Sequence, residues 1–298
     1  MKKTTFYDEI ARNKRNSVLL AILIFSFLIG LVYIISQILA PELSLVFLVF
    51  AGIFMIIYTY GSYMYGDKVV LAATKAKLIK EGDRRYTHLI NVVDGLSIAA
   101  GIPKPKIYVI ENNEINAFAT GRDPKHSSVA VTTGLLKNLK RDEIEGVIGH
   151  ELSHIRNYDI RFATFVAVFV GLIGILSYMF RRTLWYGNGR RGDRDKGGLL
   201  ILIGIILAVF APIVVRLVQL AISRKREYLA DASSAQLTRY PEGLASALEK
   251  IKNINKGKMK VSEAVSHLFF TDPNKSGLDS LYATHPPLEK RIKILRSM

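Results

Sequence analysis

Two histidines, His150 and His154, stand four residues apart in the string His-Glu-Leu-Ser-His, and no other feature constrains this chain as much. On a helix, residues four apart lie one turn above one another on the same face, so both imidazoles can converge on one metal ion. The spacing reads as zinc, and Glu151 beside the pair is the carboxylate able to take a proton from a metal-acidified water. A zinc site of this kind needs a further protein ligand. Glu227 and Asp231 form a second pair four apart, in which Glu227 suits the third ligand position and Asp231 can steady a ligating histidine through its far ring nitrogen. An HExxH string alone arises by accident on surface helices; two such constellations in one chain are a much stronger signal. The implied chemistry is peptide hydrolysis.

Composition narrows the setting of that site. The chain has no cysteine, which excludes a disulfide scaffold and leaves only nitrogen and oxygen to hold the metal. Half of the residues are hydrophobic and mean hydropathy is +0.22, and the cause is local. Residues 17–40, 45–65, 162–180 and 197–215 carry no charge, the last run fading at Ile222. Each approaches the roughly 20 residues that a membrane helix needs, so four hydrophobic membrane helices are expected. The net charge of +16 is distributed as a topology signal. Lys2, Lys3, Arg12, Lys14 and Arg15 precede the first run, Lys68, Lys75 and Lys77 follow the second, and the turn at Pro41 between them has no basic residue. The positive-inside rule then puts the N-terminus and residue 68 onward in the cytoplasm. No aromatic-interleaved basic stripe or compact binding module suggests nucleic acid.

The second hydrophobic pair conflicts with the same rule. Residues on both sides of 162–222 must share one compartment to build one site, so spanning helices would leave the basic loop 181–196 outside. Length favours spanning nonetheless. Gly187, Gly189 and Gly192 match a dinucleotide fingerprint by spacing, but no strand precedes them. The organisation is thus an N-terminal membrane hairpin in 1–67 (spans 17–40 and 45–65), a first catalytic part in 68–159, a second hairpin in 160–222, and a second catalytic part in 223–298. At 1.5 Å per helical residue, His154 and Glu227 would lie roughly 8 to 12 Å beyond the apolar ends of 162–222. The charges around them, from Lys137 to Glu145 and from Arg224 to Glu227, argue against a site inside the hydrocarbon.

Within the soluble parts, Leu89, Val92, Val93, Leu96 and Ile98 form a helical stripe that Gly101-Ile-Pro103 stops. Residues 106–111 and 127–132 read as strands, with 116–121 as the connection between them. A helix opens near Arg141 or Asp142 and carries the histidines. Residues 241–253 and 288–295 read as packing helices, and Arg291 on the last of them is placed to pair with Asp231.

Taken together, His150-Glu-Leu-Ser-His154, Glu227-Tyr-Leu-Ala-Asp231, Asn116-Ala-Phe-Ala-Thr-Gly121 and Thr284-His-Pro-Pro287 resemble the HtpX-type membrane zinc metallopeptidases, relatives of the CAAX prenyl proteases. The resemblance implies an α+β, mostly helical fold: a gluzincin-like domain with a small β-sheet, combined with the membrane helices and holding one Zn2+ per chain. It also implies that residues 116–121 and the edge strand after them line the cleft, with Asn116, Ala117 and Phe118 as substrate contacts. His285 is implied beside the zinc, where it stabilises the developing oxyanion. The substrates implied are misfolded or surplus membrane proteins or unfolded polypeptides, cleaved at the cytoplasmic face of a cell membrane alongside other quality-control proteases. Prenyl-peptide processing and a catalytically silent chaperone or scaffold are the alternatives.

Overall fold

A computed structural model describes residues 41–186, 224–274 and 286–298, together with isolated helical positions between 11 and 37. The chain enters through helix α1 (Ser44–Ala73), which contains the apolar run 45–65 and continues past Asp67 and Lys68. Among the described residues this is the one helix, counted from Pro41, that is long and apolar enough to cross a membrane, and only 6% of its most apolar window is buried inside the protein. A helix so apolar and so little covered needs an apolar surrounding. One such helix, not four, is therefore described; the run 197–222 lies outside the described residues, and 17–40 is described at fewer than half of its positions.

A mixed four-stranded sheet follows, with strands β1 (Lys77–Leu78), β2 (Lys106–Ile110), β3 (Ala117–Asp123) and β4 (His126–Thr132) in the order β1-β2-β4-β3. β4 is central, parallel to β2 and antiparallel to β3, with Ala117 opposite Val131 and Ala119 opposite Val129. The expected connection 116–121 is therefore a strand, and it is β3 rather than the strand after it that forms the sheet edge. Its composition hides it: Ala-Phe-Ala-Thr-Gly has little β-branched character, and the segment is extended because both faces are covered.

Helix α2 (Thr87–Ala100) buries Leu89, Val92, Val93 and Leu96 and ends at Gly101, whose left-handed φ of 67° closes the helix. Ile98, expected in the stripe, is exposed. After the short α3 (Thr133–Asn138), helix α4 (Arg141–Arg156) forms the centre of the domain. The Glu143 carboxylate accepts the Lys140 backbone N–H at 2.6 Å and so caps the first turn. It also accepts from Ser246 and Lys250, both at 2.7 Å, on helix α7 (Pro241–Ile254). On the other side α4 meets α6 (Arg224–Thr238), where the Ser234 hydroxyl donates to Gly146 O at 2.6 Å. Val147, Ile148 and Leu152 of α4 share one core with Leu244 and Leu248 of α7, Val129 and Val131 of β4, and the stripe of α2.

The chain breaks after α4, with Tyr158 at a φ of 59°, and restarts as α5 (Asp159–Tyr186). The metal helix does not run on into the third apolar stretch, so heights counted along a continuous helix do not apply. Phe162, Val166, Ala167 and Phe169 at the start of that stretch are interior residues, on a helix packed against β3, α1 and the short α8 (Glu263–Ser266). The last helix, α9 (Leu288–Leu295), packs on α7 and α6 and brings Arg291 inward.

Candidate metal centre

His150 and His154 sit on the inner face of α4, and Glu227 comes from the first turn of α6. His150 Nε2 and His154 Nε2 are 3.1 Å apart, and the Glu227 carboxylate oxygens lie 3.7 Å and 3.6 Å from them. One donor atom from each residue falls within a sphere where all are within 4.8 Å of one another. The far ring nitrogens are already engaged: His150 Nδ1 donates to Asp231 at 2.9 Å and His154 Nδ1 to Asp159 at 2.9 Å. With both Nδ1 atoms carrying protons, both Nε2 atoms face one point, where a bound cation or a proton shared between the rings relieves the lone-pair repulsion. The donor set, two imidazoles and a carboxylate with no thiolate, suits Zn2+.

Electrostatics sharpen the roles. Burial and the nearby charges of His154 and Arg291 lower the pKa of His150 to about 4 against the pull of Asp231, so its imidazole is neutral and ready to ligate. Burial works against a charged His154 as well, but the Asp159 hydrogen bond and the carboxylates of Glu227 and Glu151 outweigh it and raise the pKa to about 9. The surrounding carboxylates thus favour positive charge at this position. Glu151 is 2% exposed, and burial, with Glu227 adding to it, raises its pKa to about 7 despite His154, Arg291 and a hydrogen bond from the Ala119 backbone N–H. Burial also opposes the ionised form of Asp231, yet Arg291 and His150 hold it down to about 2.

Arg291 is fully buried and grips Asp231 with two bonds, Nε at 2.8 Å and Nη2 at 2.7 Å. Its third nitrogen, Nη1, lies 3.8 Å from Glu227, so one guanidinium orients a metal ligand and the partner of another. Phe270 fills the space beneath, its ring 4.8 Å from the His150 ring and 4.8 Å from the Arg291 guanidinium carbon.

The cavity over these groups is only about 40 Å³, bounded by Ala119 of β3 and the stretch from His267 to Phe270, enough for water but not for a peptide. Phe270 N donates to Ala117 O at 2.8 Å, which occupies an outward carbonyl on the free edge of β3. Asn116 fixes that contact: its Nδ2 donates to Thr271 O at 2.9 Å while its Oδ1 accepts from Thr271 N at 3.2 Å and Ala117 N at 3.1 Å. Asn116, Ala117 and Phe118 are all fully buried. Asn116 is clamped to the 270–271 segment, and Phe118 packs edge-on against Phe269 at 4.9 Å. His285 lies outside the described residues. Two participants escaped the reading of the sequence. Asp159 stands five residues after His154 and just past the helix end, where helical periodicity does not point to it. The Ala119 N–H carries no side-chain signal at all.

Two histidines from one helix, a glutamate from another and a buried carboxylate between them and a sheet edge define a zinc metallopeptidase of the gluzincin type. The class is given at finer grain by comparison with known families: the chain belongs to Peptidase family M48, whose family model matches residues 83–298. Among similar proteins, the "Protease HtpX homolog" of Caldanaerobacter subterraneus is 43% identical over 302 residues, covering 100% of this chain and 99% of that one. The protein of the same description from Dictyoglomus thermophilum is 44% identical, covering 100% and 96%. That of Streptococcus uberis is 41% identical, covering 98% and 99%. A solved structure, S. mikatae Ste24p, aligns with a TM-score of 0.48 at 20% identity over 96% of this chain and 66% of that one. The cluster of His150, His154 and Glu227 is a single Zn2+ site of the kind M48 peptidases carry.

Proposed function

We propose that this chain is a membrane-anchored endopeptidase that cleaves misfolded or surplus membrane proteins on the cytoplasmic side, as one of a set of quality-control proteases. The observation that carries the catalytic part is the convergence of both Nε2 lone pairs and the Glu227 carboxylate on one point with Glu151 beside it. Zinc bound there supplies Lewis acidity, polarising a scissile carbonyl and acidifying water. Glu151 acts as general base: one carboxylate oxygen takes the proton of the attacking water and later delivers it to the leaving amide nitrogen. Asp231 and Asp159 keep the imidazoles in the Nδ1–H tautomer, and Arg291 holds Asp231 ionised. His285 is assigned to the oxyanion. Full-length protein in detergent should hydrolyse casein, and Glu151→Gln should abolish that activity while its zinc content stays at the wild-type level. Equal activity in wild type, Glu151→Gln and chelator-treated protein would overturn the assignment.

The membrane part of the proposal keeps four spanning helices, 17–40, 45–65, 162–180 and 197–222, with the N-terminus and both catalytic parts in the cytoplasm. It is supported by the exposed apolar surface of α1 and by the length of the other three runs. Because the chain has no cysteine, Asn188→Cys gives a clean probe of the 181–196 loop. An impermeant thiol reagent should label it in intact cells; protection there, with labelling after lysis, would put the loop inside.

A further inference from the structure

Away from the metal, the chain has a larger cavity of about 530 Å³, within the range of small-ligand sites. Its two ends differ in chemistry. One is apolar, walled by Val18, Ile22 and Phe25 before α1 and by Ile56 and Tyr60 on α1; the other is closed by Arg122 of β3 and Arg161 of α5. From Ile56 to Asp67 along α1 is about 16 Å of helix, close to the ~15 Å depth of one leaflet's hydrocarbon. The apolar end therefore coincides with acyl chains and the arginines with the headgroup level.

The two arginines are only partly satisfied by protein groups. Arg161 Nε donates to Arg122 O at 2.7 Å, and both guanidiniums lie over the ring of Tyr63, at 5.6 Å and 5.7 Å. Arg122 reaches Asp123 only at 3.5 Å and turns Nη1 onto the weak acceptor Met64 Sδ at 2.7 Å. Arg161 has no carboxylate within 4.0 Å among the described residues. Asp67 is on the same wall, an acceptor suited to a headgroup hydroxyl rather than to the phosphate.

We propose that this cavity binds one anionic phospholipid of the cytoplasmic leaflet, its phosphate between Arg122 and Arg161 and one acyl chain along Val18, Ile22 and Ile56. The inference rests on the membrane placement of α1 proposed above, but not on catalysis. It is tested by native mass spectrometry of the full chain released from detergent with equal amounts of phosphatidylglycerol and phosphatidylcholine. Wild type should retain one phosphatidylglycerol in preference, by about fivefold for each arginine engaged. The Arg122→Gln/Arg161→Gln double variant should retain both lipids equally, and Arg122→Lys/Arg161→Lys should keep the preference. Thr59→Phe, which fills the apolar part with both arginines intact, should reduce retention of both lipids. The idea is lost if wild type shows no preference, if the double glutamine variant keeps it, or if a hydrophobic peptide co-purifies in the lipid's place. Displacement of the lipid by millimolar inorganic phosphate would likewise overturn it, assigning the arginines to a free anion. Since retention needs no turnover, an inactive enzyme in the casein assay leaves this result readable.

Discussion

In its proposed role as base, Glu151 has to be ionised to accept a proton from water, and its burial makes that costly. Burial raises its pKa from 4.5 to about 7, whereas a dication beside it pulls the value back down. The acid limb of kcat/KM should therefore fall between those two values, with activity dropping tenfold per pH unit below it; a flat profile down to pH 4 would remove Glu151 as the base. Arg291 has the opposite task, keeping Asp231 charged. A carboxylate whose pKa is depressed from 3.8 to about 2 contributes stability that is fully present above 3.8 and disappears as pH falls through 2. Arg291→Met leaves that buried charge unpaired and should cost about 3 to 5 kcal/mol at pH 7. In chelated protein, the unfolding-temperature gap between wild type and Arg291→Met should narrow as pH falls toward 4, because Asp231 in the variant can protonate. A gap independent of pH would mean that Arg291 acts by packing alone. Residues such as His150, His154, Glu227 and Asp231 were legible because helical periodicity turns a spacing of four into shared facing. Asp159 was not, because it acts across a helix break that no periodicity encodes.

At the scale of elements, the free edge of β3 and the segment from His267 to Thr271 are in competition for the same backbone groups. The outward carbonyl of Ala117 that a substrate strand would use is taken by Phe270 N, and Asn116 locks the arrangement with three hydrogen bonds. Asn116→Ala should lower stability by about 1 to 3 kcal/mol, the cost of leaving buried backbone groups unpaired. Casein hydrolysis per folded molecule should nevertheless rise, because the edge is released. If Asn116 instead contacts substrate, the same variant loses turnover, so the sign of the change separates the two roles. The sequence concealed this competition since β3 consists largely of small residues, and its strand state depends on what covers it. The approach of α4 to α7 was equally hidden. A Cβ on Gly146 would lie 2.7 Å from Leu244 N, so that glycine is required by a neighbour almost a hundred residues away, and nothing local marks it.

For the molecule as a whole, a metal held by His150 and His154 of α4 and Glu227 of α6 would tie those two helices together. One layer out, Asp231 of α6 joins His150 across the same interface, and Asp159 at the start of α5 holds His154. A ligand bound only by the folded state stabilises it by mass action, about 4 kcal/mol at a thousandfold excess over Kd. Chelation should therefore lower the unfolding temperature of wild type and of Glu151→Gln to the same extent, since Glu151 is not a ligand. Glu227→Ala should start from a lower unfolding temperature and show little further change with chelator. Differential scanning fluorimetry in detergent, with zinc measured in the same samples, reads all three. If Glu227→Ala kept both its zinc and its chelator-sensitive shift, the third ligand would have to come from elsewhere, and α6 would lose its place in the metal centre. The apparent redundancy of Asp159 and Asp231 bears on the same measurement. Each fixes one imidazole, Asp159 from the start of α5 and Asp231 from α6, so removing either should weaken zinc retention without abolishing it, whereas removing a ligand abolishes it.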